Sequence, residues 1–195
     1  MKVRIPREMG PIARMCSDIP SRFPLQGVRV EKKDGAVTLT ASDGKKIIDA
    51  KLKSQSESGP DGVVVVPAKA LKRAAGVPRI TDFEIRATKN GKVELTSVDS
   101  EENTFVVKTA AIKDVYPEKD KVFPKEEPAA VISVNPKLLG DVLLALDAMK
   151  TAEYATVKMS VFSKGERGPH VALEMDTNQA QMRSVVMGLS ITEPR

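Results

Sequence analysis

Nine stretches of this 195-residue chain alternate apolar and polar residues with a period of two, and they fall into three groups of three. The groups are "GVRVEK", "AVTLTAS" and "KKIIDAKL"; then "DFEIRAT", "KVELTSV" and "NTFVVKTA"; then "ATVKMSVF", "HVALEMD" and "QMRSVVMGLSI". Period-two alternation predicts β-strands with one buried face. Ahead of each group stands an apolar run that passes through a proline into helix-like spacing: "KVRIPREMGPIARM", "VVVVPAKALKRAA" and "VISVNPKLLGDVLLAL". The predicted order is therefore βαβββ three times, an α+β chain. Pro6, Pro67 and Asn135-Pro136 stand at the strand-to-helix corners, and Pro6 and Pro67 are 61 residues apart.

Local signals support the pattern. Lys33-Asp34-Gly35 and Asn90-Gly91 supply residues that tolerate the left-handed backbone of a tight hairpin, and the third group is joined by the longer polar loop 163–169. In the first helix Met9, Ile12, Ala13 and Cys16 predict an apolar stripe, with Arg7 and Arg14 on the polar side. In the second, Ala70, Leu71, Ala74 and Ala75 oppose Lys69, Lys72 and Arg73, and Gly76 is the expected stop. The third helix is richer in leucine, and its Lys137 and Lys150 are offset by Asp141 and Asp147.

Segments 53–62 and 115–128 are polar and proline-containing, and the second carries three prolines and seven charges. Both read as linkers, the second as the domain boundary. Expected domains are therefore 1–124, with two repeats, and 125–195, with one.

Composition narrows the chemistry. Apolar runs such as Val63 to Val66 are far short of the roughly 20 residues a membrane helix needs. The N-terminus is charged where a secretory signal would be apolar, so a cytoplasmic protein without membrane contact is expected. One cysteine and one histidine leave no cysteine-based zinc site or internal disulfide, and no cofactor is expected. Cys16, on an apolar stripe, reads as a small core residue. The net charge of +5 is unevenly spread: residues 1–60 hold 12 Lys/Arg against 7 Asp/Glu, whereas residues 126–195 hold 7 against 9. A basic first part suits sequence-independent contact with a polyanion, as it also suits a solvated surface. Aromatic stacking on bases is not expected, because Phe83, Phe105 and Phe162 sit in strand-like runs and read as core.

"LTASDGKKI", "VVVPAKALKRA", "YPEKDKVFP" and the closing "RSVVMGLSI" come in the same order as motifs of a known family. Together they resemble the bacterial DNA sliding clamp, the β subunit of the replicative polymerase. The matching pieces there are an A-T-D-G-x-R segment, a V-x-V-P corner, a [YF]-P-D-Y-x-x-V-[IF]-P linker and a terminal V-V-M-P-[ML] strand. The resemblance runs from about Val3 to Ile191, and the family's own repeat is βαβββ, two to a domain. It implies one full clamp domain and half of another, with the uncovered half leading to self-association. The chain departs from the pattern at Tyr116-Pro117-Glu118-Lys119, which lacks the second tyrosine, and at Met187-Gly188, where proline is expected.

By this resemblance, the helices touch duplex DNA phosphates without reading bases. That role falls to Arg7, Arg14, Lys69, Lys72, Arg73 and Lys137. A second implied activity is holding short peptides of polymerases and repair proteins in an apolar pocket. Its residues carry over as Ser42, Asp43, Gly44, Lys46 and Ile47; Pro67 and Leu71; and Val185, Val186 and Met187. The function implied is a clamp-like processivity factor; the alternative is a clamp-fold protein-binding module that does not encircle DNA. An enzyme is not expected. Asp43, Asp99 and Asp176 recur near the third strands but at repeat-equivalent places, which holds them apart, and no catalytic motif occurs.

Overall fold

The computed structural model describes residues 1–52, 60–118, 121–123, 131–149, 156–162, 169–177 and 180–188. The chain divides into two units, Met1–Pro124 and Lys125–Arg195. Most of the two predicted linkers, the loop 163–168, Lys150 and the end of the last predicted strand lie outside the described residues.

The first unit holds two repeats whose leading strands are exchanged. Strand β1 (Lys2–Pro6) leads the first repeat, yet it pairs antiparallel with β6 (Asp82–Ala87) of the second, Ile5 opposite Phe83 and Val3 opposite Ile85. Strand β5 (Gly62–Pro67) leads the second repeat and pairs with β2 (Gly27–Lys33) of the first, Val66 opposite Val28 and Val64 opposite Val30. With β3 (Ala36–Ser42), β4 (Ile47–Lys51), β7 (Lys92–Val98) and β8 (Thr104–Ala110) the sheets run β1-β6-β7-β8 and β4-β3-β2-β5. Neither repeat can complete its sheet alone.

Alternation accounts for the packing. Val3 and Ile5 of β1 are fully buried, while Lys2 and Arg4 point outward to Glu84 at 2.9 Å and Asp82 at 3.5 Å. Val28, Val30, Val37, Leu39, Phe83, Ile85 and Leu95 join them in one continuous core. Each such side chain contributes about 1.5–3 kcal/mol by leaving water. Phe83 is core as expected, but Phe105 is 42% exposed because β8 is a sheet edge.

The hairpin signals are used differently from each other. Asp34 and Gly35 both take positive φ, 50° and 77°, in the two-residue turn between β2 and β3. At the second hairpin only Gly91 does, at 74°, closing a turn in which its N–H donates to the Thr88 carbonyl at 3.1 Å.

Helix α1 (Ala68–Ala75) follows β5 directly, with Pro67 at its start. Gly76 ends it at φ −79° rather than in the left-handed form, and Pro78 prevents continuation. The first repeat departs from the expected α-helix: its helical segments are 3₁₀, η1 (Arg7–Met15) and η2 (Pro20–Gln26). Pro11 lies inside η1, where it has no N–H to donate to residue 7 and its ring disfavours an α-helical path. Ile12, Ala13 and Cys16 are nevertheless buried, as the stripe predicts.

The second unit contains one repeat. Helix α2 (Pro136–Met149) is capped by Asn135, whose side-chain carbonyl accepts from the Lys137 N–H at 2.9 Å. Strands β9 (Lys158–Phe162), β10 (His170–Asp176) and β11 (Gln181–Met187) form a sheet in the order β11-β10-β9. Leu146, Val171, Leu173, Met175 and Val186 make its core. Phe162, read as core, is 44% exposed and stacks on His170 with ring centroids 4.7 Å apart. The leading run "VISV" is not a ladder strand here; its pairing is one bridge, Val134 to Gly188.

Candidate nucleic-acid interface

Between η1 and α1 lies a groove of about 920 Å³ lined by Arg4, Arg7, Arg14 and Lys72, with Glu8 and Asp82 as its acidic members. Gly10 lets the two helical segments meet, since a β-carbon there would overlap the Ala75 side chain. Arg4 is occupied by Asp82. Among the described residues, no carboxylate forms an ion pair with Arg7, Arg14 or Lys72, nor with Lys69 and Arg73 on the exposed face of α1. The sheet faces differ: Lys2, Arg29, Arg86 and Lys108 are each paired with a glutamate. Unpaired, solvated cations on one face can displace the counterions condensed on a polyphosphate, and they need no base edge to do so. Lys137 belongs to the second unit, exposed in the first turn of α2.

Cys16 lies behind this face. Burial pushes its thiol up to about 11, against the pull of the Lys72 ammonium, so it stays protonated at neutral pH and is a packing residue.

The residues implied for a peptide pocket divide between the units. In the first, Ser42 and Ile47 flank the turn between β3 and β4. The Ser42 hydroxyl donates to the Lys46 carbonyl at 2.8 Å and accepts from the Gly44 N–H at 3.0 Å. The Asp43 carboxylate accepts from the N–H groups of Lys45 at 2.8 Å and Lys46 at 3.0 Å. These hold it below the usual carboxylate range, the Lys45 N–H foremost, against partial desolvation and helped by the Lys46 ammonium 3.5 Å away. Gly44 has φ +89°, and Arg22 reaches across to donate to the Asp43 carbonyl. Pro67 is half-buried opposite Gly27. Leu71 is fully buried in the core, which makes it packing and not a wall open to a ligand. In the second unit Val186 is likewise buried, while Val185 and Met187 on β11 are 58% and 44% exposed.

Gly188, where the resemblance led to an expected proline, donates its N–H to the Pro169 carbonyl at 2.7 Å. Proline could not make that bond. Asp99, like Asp43, has a local task, accepting from the Glu101 and Asn103 N–H groups at 2.9 and 3.0 Å, and Asp176 is the last residue of β10. No group of three His, Cys, Asp or Glu that could hold a metal ion exists among the described residues, and no described helix is long and apolar enough to cross a membrane.

Sequence reasoning missed the roles of Arg4 and Gly10 and read Tyr116 only as part of a linker motif. The Tyr116 hydroxyl donates to the Thr40 carbonyl at 3.3 Å, and burial pushes its phenol up. Gly10-Pro11 was the available signal for the first of the helical contacts, because a glycine beside a proline inside an apolar stripe marks close approach.

The exchanged strands, paired sheets and the helical segments packed on them define the DNA sliding-clamp fold. Solved structures of that fold match nearly all of the chain. It is similar to the β subunit of DNA polymerase from Streptococcus pyogenes, at 17% identity and TM-score 0.74 over 97% of this chain and 50% of that one. The DNA polymerase sliding clamp of Bacillus subtilis matches at 14% identity and TM-score 0.72, over 96% and 49%. That of Pseudomonas aeruginosa, solved with a ligand, matches at 16% and 0.72, over 96% and 51%. The chain thus spans about half the length of the clamps it matches. No protein-family model matches it, and no match is found among curated protein sequences.

Proposed function

We propose that this chain is a clamp-type processivity factor that contacts duplex DNA through its phosphates and tethers replication or repair proteins there. The groove between η1 and α1 carries the reading: Arg7, Arg14 and Lys72 line it, Lys69 and Arg73 extend it, and none is neutralised by a described carboxylate. Such contact is loose and salt-sensitive, which suits sliding, and it requires no bond-making chemistry.

The test is the triple variant Lys69→Glu, Lys72→Glu, Arg73→Glu, titrated against a labelled duplex by fluorescence anisotropy at low salt. Reversing three charges should weaken binding by at least about tenfold, and unchanged binding would show the basic helix to be a solvated surface only. A second reading, a clamp-fold protein-binding module without DNA contact, is favoured by the exposed apolar pair Val185 and Met187. Loss of peptide binding with duplex binding intact in β11 variants would separate the two roles.

A further inference from the structure

In the first unit the residue before each helical segment pairs with the first residue of the other repeat's triplet: Pro6 with Asp82, Pro67 with Gly27. Each leading strand then continues along the free edge of that triplet. The second unit contains both halves of such an exchange and joins neither. Its leading run, 131–134, makes one bridge, and β9 is hydrogen-bonded only to β10 among the described strands.

The two triplets correspond residue for residue. Phe162 pairs with His170, Val161 with Val171 and Met159 with Leu173, as Lys33 pairs with Ala36, Lys32 with Val37 and Val30 with Leu39. Met159 is therefore the counterpart of Val30. Val30 is fully buried because β5 lies beyond it, whereas Met159 is 49% exposed although it sits opposite the fully buried Leu173. Val161, opposite buried Val171, is 43% exposed. Helix α2 shows the same lack on its flank. Leu138 and Met149 are about half exposed, while in the first unit α1 has η1 packed beside it.

We propose that a second copy of this chain completes the unit by reciprocal strand exchange. The run 131–134 of each copy adds to β9 of the other around a two-fold axis, making one clamp-type domain from two third repeats. By the correspondence, Val134 lies opposite Val157 of the second copy, Ile132 opposite its Met159 and Val131 opposite its Ser160. A second copy fits better than an unrelated chain because the unit is self-complementary. Among the described residues the same two edges are open on each copy, and one two-fold operation closes all four. This inference does not depend on DNA contact and can fail or hold independently of it.

Light scattering on the full chain should give twice the 21.1 kDa chain mass; a concentration-independent monomer at tens of micromolar overturns the proposal. The interface itself is tested in a Cys16→Ala background by Val131→Cys combined with Ser160→Cys under oxidised glutathione. Within one copy the run 131–134 bridges Gly188 beyond β11, and β9 lies two strands from β11. At about 4.8 Å per strand, the two new cysteines are beyond the roughly 7 Å that a disulfide spans. A covalent dimer is expected from the double variant and not from either single one. Absence of cross-linking overturns the proposal even if the chain is dimeric by another surface. Met159→Lys places a charge on a residue the lone unit leaves exposed, so the fold should persist by circular dichroism while the mass falls to that of a monomer. A folded Met159→Lys dimer also overturns it.

Discussion

Gly10 in η1 packs so closely against Ala75 at the end of α1 that a β-carbon on it would overlap the Ala75 side chain. The two helical segments meet at the floor of the groove because one of them carries no side chain at the crossing. Gly10→Val should therefore force the segments apart, destabilising the first unit by about 1–3 kcal/mol through overpacking. Thermal unfolding would read this as a lower Tm, and the displaced Arg7 and Arg14 should weaken duplex binding in parallel. An unchanged Tm would mean the crossing can relax without cost.

Salt dependence checks the mode of DNA binding. Arg7→Ala, Arg14→Ala and Lys72→Ala should each reduce the slope of log K against log salt by about 0.9 for every phosphate that is no longer neutralised, with similar effect on duplexes of different sequence. A variant that changed sequence preference but not slope would point to recognition of base edges instead.

Much of the strand pattern was legible because burial on one face forces alternation: β3, β7 and β10 occupy the bounds their sequences predict. The exchange of β1 and β5 was not legible. Val3 and Ile5 alternate identically whichever triplet receives them, and only three-dimensional pairing distinguishes the partners. The 3₁₀ form of η1 was hidden for a different reason, since Ile12 and Ala13 face the core under either helical period while Pro11 decides the backbone. At the candidate site, residue type and spacing located the basic face. Burial then removed Leu71 and Val186 from ligand contact, a distinction that apolar character alone cannot make.

The turn after β3 should make part of the stability pH-dependent. The folded state holds the Asp43 carboxylate below its ordinary range, chiefly through the Lys45 N–H, so the unfolded chain binds a proton more readily. Stability from this source is fully present above the unfolded value of about 3.9 and is lost as pH falls through the lower folded value. Thermal melts between neutral and strongly acid pH should show the wild type losing more than Asp43→Asn in that window. Parallel curves for the two proteins would assign the acid sensitivity elsewhere.

Met187 provides the test of peptide tethering. It stands on β11 with 44% of its surface open, beside the buried Val186 that anchors the strand to the core. Truncating an exposed side chain leaves the core intact, so Met187→Ala should change stability by no more than about 0.5 kcal/mol. A peptide with leucine and aromatic anchors takes most of its affinity from a few buried apolar contacts, and removing one should weaken it by about 1 kcal/mol, roughly fivefold in Kd. Val186→Ala serves as the contrast: it should lower Tm by opening the small core around Leu173. Fluorescence anisotropy with a labelled peptide gives the reading. Saturable binding weakened by Met187→Ala at unchanged Tm supports a tethering surface on β11, whereas no saturation at high micromolar protein removes peptide binding from the proposed function and leaves DNA contact to stand by itself.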